Sequence, residues 1–368
     1  MSLDFAHDTL AQRVLFGAGK AGEHVAAELE RLGARRVMLI ASEREMSMAE
    51  PLPEGTDVAL PWQEVRQHVP IENVRRARAA ATEAGIDVIV SVGGGSTVGL
   101  AKAVALDPDG SQQPIVAVPT TYAGSEATPM WGITEAGTKA TGIDPVVLPT
   151  SVIYDSDLTL SLPVGLSVAS GLNGLAHCVD SLWAPKADPI NIALGLEGAR
   201  ALAAGLPKIV TDPSGRDGRD EALYGAYLAA LSFASAGSGM HHKICHVLGG
   251  TFDLPHAETH ATVLPYVLAF NAPGVPELAR RLAQALGDGP APDDDGPAAA
   301  VASLNRLRET LDAPRALADV GFTEADIPEA VRRSLAAIPD SNPVPVTEEN
   351  LTALLRAALV GDTPRSHP

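Results

Sequence analysis

Asn173 and His177 stand four residues apart in "SGLNGLAHCVD", and His242 and His246 stand four apart in "HHKICHVLGG". If both runs are helical, each pair leaves one face of its helix about one turn apart. Six of the ten histidines fall between residues 177 and 260, with His241, His256 and His260 completing the group. Histidine is the usual transition-metal ligand and also the usual acid or base near neutral pH. Three imidazoles with a carboxylate make a good site for a divalent ion, but Asn173 in the carboxylate's place removes the negative charge and leaves a weak neutral oxygen. The expected chemistry is therefore metal-free: histidines that donate hydrogen bonds or protons, with Lys243 adding a cation nearby.

Two glycine-rich turns compete for a nucleotide. "GAGKAG", residues 17–22, matches the dinucleotide fingerprint, follows a strand and opens a helix, with Glu43 standing where a ribose-binding acid is expected. "DVIVSVGGGSTVGLAK" offers a buried strand, three glycines, a hydroxyl and a helix, so that amide N–H groups at the helix start can hold a pyrophosphate against the positive end of the macrodipole. Residues 93–96 are the stronger cradle. "VPTTYAGSEATP" then sets a dense run of hydroxyls at the end of the next strand, the edge where open α/β sheets bind ligands.

The elements that must position these residues change character along the chain. From Arg13 to about Pro149, β-branched runs alternate with helical periods, which indicates a parallel sheet of βαβ units. Beyond Ser156 the segments are long and rich in Ala and Leu, as in a helical bundle. The expected domains are 1–155, α/β and nucleotide-binding, and 156–368, all-helical and carrying the substrate. A length of 368 residues suits two cores. The net charge of −18 argues against nucleic acid or an anionic membrane as partner. Two cysteines without a CxxC neighbour, no signal-like leader and no membrane-length apolar run point to the cytoplasm.

In order, "GGGSTVGLAKA", "VPTTYAGSE", "VLPTSVIYDSDLT", "ASGLNGLAHCVDSLWAP" and "HHKICHVLGGTFDLPHAETHATVLP" resemble the iron-containing (group III) alcohol dehydrogenase family, and within it the maleylacetate reductase branch. The resemblance implies a dehydroquinate synthase-like architecture: an N-terminal α/β nucleotide-binding domain, then an all-α bundle, with the active site in the cleft between them. Metal ligands of the metal-bearing members fall at positions matching Asn173, His177, His242 and His256, the first normally Asp. The branch that has Asn there is regarded as working without the metal, so these positions are read as vestigial. The likeness further implies that Gly94, Gly95 and Ser96 hold the cofactor pyrophosphate, that Thr120, Thr121 and Lys139 line the rest of the cofactor site, and that His246 lies close to the nicotinamide. "GAGKAG" becomes only a turn.

The implied reaction is NADH- or NADPH-dependent reduction of maleylacetate to 3-oxoadipate, on a route for degrading aromatic compounds. Hydride adds to a carbon–carbon double bond conjugated to a ketone, and negative charge develops on the ketone oxygen. His177, His242 and His256 are expected to form the wall that stabilises this enolate, with His246 as proton donor or orienting group and Lys243 or Tyr122 seating a carboxylate. Ser42, Glu43 and Arg44, after the strand "RRVMLIA", leave the cofactor choice open: an acid favours a free ribose 2′-hydroxyl and Arg44 a 2′-phosphate. Trp131, Ala140, Gly142, Tyr266 and Val344 depart from the pattern of the branch. A lost cation and a gained indole leave room for a related conjugated keto acid. Two other readings remain open, a metal-dependent alcohol dehydrogenase or aldehyde reductase of the same fold and a non-redox lyase or cyclase on this scaffold. The family usually forms homodimers, which is the expectation here by analogy.

Overall fold

Runs that are aliphatic on both faces become the middle of a parallel sheet. In the computed structural model, which describes residues 4–46, 58–106, 112–135, 138–287 and 296–364, four strands are buried along their whole length. Together with edge strands β1 (Arg13–Phe16) and β3 (Leu60–Trp62), they are β2 (Val37–Ala41), β4 (Val88–Gly93), β5 (Ile115–Pro119) and β8 (Ser151–Tyr154). The order is β1-β8-β5-β4-β2-β3, with every neighbouring pair parallel. Such strands need helices on both faces. Val25 and Leu29 of α1 (Ala21–Leu32) pack on one face with Leu39, Val90 and Val116. On the other, Val74 and Ala77 of α3 (Ile71–Ala84) and Leu100 of α4 (Gly95–Ala105) meet Met38, Ile40 and Ile89. A single turn, α2 (Glu43–Met46), follows β2.

The reading of Arg13 to Pro149 as consecutive βαβ units needs one correction, because β6 (Met130–Glu135) and β7 (Thr138–Ile143) form a separate antiparallel pair. Trp131 stands directly opposite Gly142, and its indole lies 2.6 Å from where a Cβ on Gly142 would be. These two departures from the family pattern are thus one packing device, a large ring accommodated by a missing side chain, and the indole also packs on the core behind α3 and α4.

Contacts divide the chain into Leu10–Leu162 and a second unit made of everything from Pro163 together with the chain up to Thr9, rather than at a single boundary at 155/156. His7 belongs with the helices because its Nδ1 hydrogen-bonds Asp188 Oδ2 at 2.8 Å. This unit contains α5 (Val164–Ser181), α6 (Pro189–Thr211), α7 (Asp217–Ala236), α8 (Met240–Phe252), α9 (His256–Asn271), α10 (Pro276–Ala285), α11 (Gly296–Thr310), α12 (Ile327–Ala337) and α13 (Glu348–Val360). Glycines let α6 and α7 approach closely: a Cβ on Gly205 would stand 2.7 Å from the Gly218 carbonyl oxygen. α5 packs against α6, α7 and α9, and α8 against α9 and α12. Among the described residues no helix is long and apolar enough to cross a membrane.

Candidate active site

The two glycine turns differ in what already occupies them. At "GAGKAG", the Gly19 and Ala21 N–H groups donate to the two carboxylate oxygens of Asp155 at 2.7 and 2.8 Å, so the protein fills this anion position itself. The turn from β4 into α4 is open by comparison. Gly94 is its extended N-cap, and no side chain caps α4. Gly93 has φ +152°, and a Cβ there would collide with Thr97 Oγ1 and stand 2.7 Å from Glu45 Oε2; a Cβ on Gly94 would press on Thr121 at 3.0 Å. Backbone that a side chain would obstruct, at an uncapped helix N-terminus beside Ser96, fits a diphosphate. Thr120 is buried, its N–H donates to the Gly93 carbonyl at 3.2 Å, and its hydroxyl donates to Glu45 Oε1 at 3.0 Å. Lys139 lies in β7, but its side chain falls outside the described residues.

In the helical unit the histidines gather as the spacing requires. α5 contributes Asn173 and His177, α8 contributes His241, His242, Lys243 and His246, and α9 contributes His256 and His260. The His177 and His242 rings stack at 4.8 Å, with Phe233 of α7 beside both at 4.7 and 4.2 Å. His260 lies 4.9 Å from His242 and 4.4 Å from His256, centroid to centroid. His246 and His256 are exposed and Lys243 is half-buried, while Asn173 and His242 are 2% and 1% exposed. Accessible imidazoles therefore form the rim and His242 the floor, with the buried Asn173 amide one turn before His177 on α5.

A residue the sequence reading left out governs that floor. Asp180, fully buried on α5, accepts the N–H groups of Gly239, His241 and His242 at 2.8, 3.2 and 3.4 Å, capping the start of α8. It also pairs with His242 Nδ1 at 2.8 Å. A carboxylate there fixes the proton on Nδ1 and leaves a lone pair on Nε2. Burial lowers His177 to about 4, with Asp180 opposing, and burial reinforced by neighbouring imidazoles pushes His242 and His260 well below the ordinary histidine range. These rings are neutral at pH 7. Neutral His242 therefore presents an acceptor to the nest, where the sequence suggested a donor. Donors must come from Lys243, from the rim histidines and from the Asn173 amide. Asn173 Oδ1, His177 Nδ1, His242 Nε2 and His260 Nε2 are buried without hydrogen-bond partners, each a cost of about 1–3 kcal/mol that a bound ligand or water would relieve.

The donor set fits a divalent ion poorly. It lacks the charged oxygen, and His177 and His242 lie near-parallel, 18° apart, a stacked arrangement that does not converge two in-plane lone pairs on one ion. Among the described residues, the three potential ligand atoms within 4.8 Å of one another belong instead to His241, Cys245 and His260. That trio is a hydrogen-bonded cluster: His241 Nε2 and His260 Nδ1 pair at 3.0 Å, and burial pushes the Cys245 thiol up, away from the thiolate a metal needs.

Other expected residues fall elsewhere. Tyr122 is fully buried in the sheet unit and has interactions of its own, so it offers a carboxylate no face. Tyr266 donates its hydroxyl to the Asp362 carbonyl at 2.8 Å, tying α9 to the chain after α13. Val344 offers its carbonyl to Asn342 Nδ2 at 2.8 Å in a turn held by the Asn271–Asn342 amide pair. Asp180 lies three residues beyond His177 on one helix, the spacing that places side chains on one face, and that was its available signal.

Comparison with known proteins bears on the family and the fold. The family described as "Iron-containing alcohol dehydrogenase" matches residues 11–156, and "Fe-containing alcohol dehydrogenase family, C-terminal" matches residues 167–359. The chain is 45% identical over 363 residues to a maleylacetate reductase of Sphingobium indicum, covering 98% of this chain and 99% of that one. Its fold is similar to the crystal structure of an iron-containing alcohol dehydrogenase from Corynebacterium glutamicum, with TM-score 0.93, 60% identity and 99% of each chain covered. It is also similar to the structure of maleylacetate reductase from Agrobacterium tumefaciens, with TM-score 0.90 and 38% identity over 99% of this chain and 100% of that one.

Proposed function

This chain belongs to the iron-containing alcohol dehydrogenase family and is an oxidoreductase, and from that premise we propose that it reduces maleylacetate, or a close conjugated keto acid, with NADH or NADPH and without a metal. The observation that carries the metal-free part is the neutral histidine nest with a buried, unpartnered Asn173 amide one turn before His177. A bound nicotinamide would supply hydride to the double bond, and hydrogen bonds from Lys243 and the rim histidines His246 and His256 meet the charge that develops on the ketone oxygen. His177 and His242 shape the floor, and His246, exposed, hands a solvent-derived proton to the enolate carbon. Gly94, Gly95, Ser96, Thr120 and Thr121 seat the cofactor. The same reading places the enzyme in the cytoplasm as a homodimer serving aromatic catabolism, in keeping with two free, buried cysteines.

The test is steady-state oxidation of NADH and of NADPH by the purified protein with maleylacetate, with and without a chelator. Fast turnover that the chelator leaves alone is the expected result. Stoichiometric iron or zinc with chelator-sensitive turnover would establish the metal-dependent alternative, and product without consumption of reduced cofactor would establish a non-redox enzyme.

A further inference from the structure

The three residues after β2 that left the cofactor choice open are joined by a fourth. Ser42 donates its hydroxyl to Glu45 Oε2 at 2.9 Å and its N–H to the same oxygen at 3.3 Å, while Glu45 returns its own N–H to Ser42 Oγ at 3.3 Å. This reciprocal pair folds the carboxylate back over the end of the sheet. There Thr120, at the end of β5, donates to Oε1 at 3.0 Å, and Oε2 lies 2.7 Å from where a Cβ on Gly93 would stand. One side chain therefore meets the ends of β2, β4 and β5. The chain leaves β2 toward β3 and β4 toward β5, in opposite directions along the sheet, so this is the switch point at which open α/β sheets bind ligands. Arg44 sends its guanidinium to the Ser161 carbonyl at 2.6 Å, and Glu43 is exposed.

We propose, resting on the nicotinamide-dependent reading above, that Glu45 is the residue that selects NADH over NADPH. With the diphosphate on the start of α4, the adenosine ribose falls toward the neighbouring strand β2, the side from which an acid takes the ribose diol. Each carboxylate oxygen offers about two acceptor directions; the Ser42 hydroxyl and N–H take both on Oε2 and the Thr120 hydroxyl takes one on Oε1, which leaves one on Oε1 for a ribose O–H donor. A 2′-phosphate in the same place would bring a second anion against a carboxylate held by Ser42 and Thr120, and like charges so placed exclude a ligand.

Equilibrium binding to the full-length protein tests this without turnover. Titration calorimetry is run with NADH and NADPH, and with 5′-AMP and adenosine 2′,5′-bisphosphate as halves that carry the discriminating group. The wild type should bind NADH and 5′-AMP roughly 10- to 100-fold tighter than their 2′-phosphorylated counterparts, as for a like-charge clash near the surface. Glu45→Gln should narrow that ratio to about threefold or less, mainly by tightening the phosphorylated ligands, and a thermal melt checks its fold. Equal wild-type affinities overturn the proposal, as does a variant that shifts both ligands by one factor, because the carboxylate would then act on the diphosphate. Binding with the expected ratio but no reduction of any keto acid would support Glu45 while overturning the substrate reading. Failure to bind any of the four ligands would overturn both.

Discussion

Asn173 is where the donor set changes character. Its amide replaces one unit of negative charge with a neutral oxygen and two N–H donors, and the buried imidazoles His177, His242 and His260 are held uncharged by burial. A divalent cation placed there would meet no formal charge from the nest, and the nearest carboxylate, Asp180, already accepts four hydrogen bonds. Restoring the charge removes the electrostatic part of that deficit and leaves the ring geometry as it is. Asn173→Asp is expected to raise zinc affinity by at least about tenfold, since one added carboxylate among imidazoles converts a weak set into a standard one; competition against a chromophoric chelator measures it. Unchanged affinity would mean that ring geometry, with His177 and His242 stacked rather than convergent, is what excludes the ion.

At the scale of elements, the helix that opens the phosphate cradle is anchored by one side chain. Lys102 of α4 is fully buried and donates to the carbonyls of Ser125, Thr128 and Met130 at 2.5 to 2.9 Å and to the Thr128 hydroxyl at 3.2 Å. Burial pushes its ammonium down to about 7, with Glu126 opposing, and four oxygen acceptors favour the charged form. Lys102→Met keeps the stem and strips the acceptors of their donor, so a loss of about 3 kcal/mol is expected in urea unfolding, along with weaker cofactor binding as the β5–β6 segment loosens. What the sequence made legible follows the same physics. β2, β4 and β5 could be read because burial on both faces writes an unbroken aliphatic run, and the helices of the second unit because Ala and Leu recur over long spans. The β6–β7 hairpin could not be: half-exposed, with Gly132 and Gly142 breaking its alternation, it carries neither signature. Local spacing singled out His177, His242 and His246 and offered Asp180 three residues beyond His177, whereas the pairings themselves, Asp155 with "GAGKAG" more than a hundred residues away and Asp180 with His242 62 away, are supplied only by the fold.

For the molecule as a whole, a nest of neutral imidazoles ties stability to pH. His177 titrates near 4 in the folded chain, and His241, His242 and His260 are likewise pushed well below the ordinary value by burial and by one another. In the unfolded chain each takes a proton near 6.5. Between about 6.5 and 4 the unfolded state therefore binds more protons than the folded one, so stability falls as the pH drops through that window. For His177 alone the difference is of order 3 kcal/mol once the pH is below its folded value. Asp180 works against this, since burial raises its carboxyl and the folded state then takes up a proton before the unfolded state does. Four lowered histidines outweigh one raised carboxyl in number. Urea midpoints followed by circular dichroism should fall steadily from pH 7 to pH 5, ahead of the carboxylate losses that begin only near 4.5. His177→Phe, which keeps an aromatic ring against Phe233 and removes one titrating group, should flatten the slope by close to its share. A flat profile in the wild type would mean that the rings already carry protons when folded, and that the nest is positively charged rather than neutral.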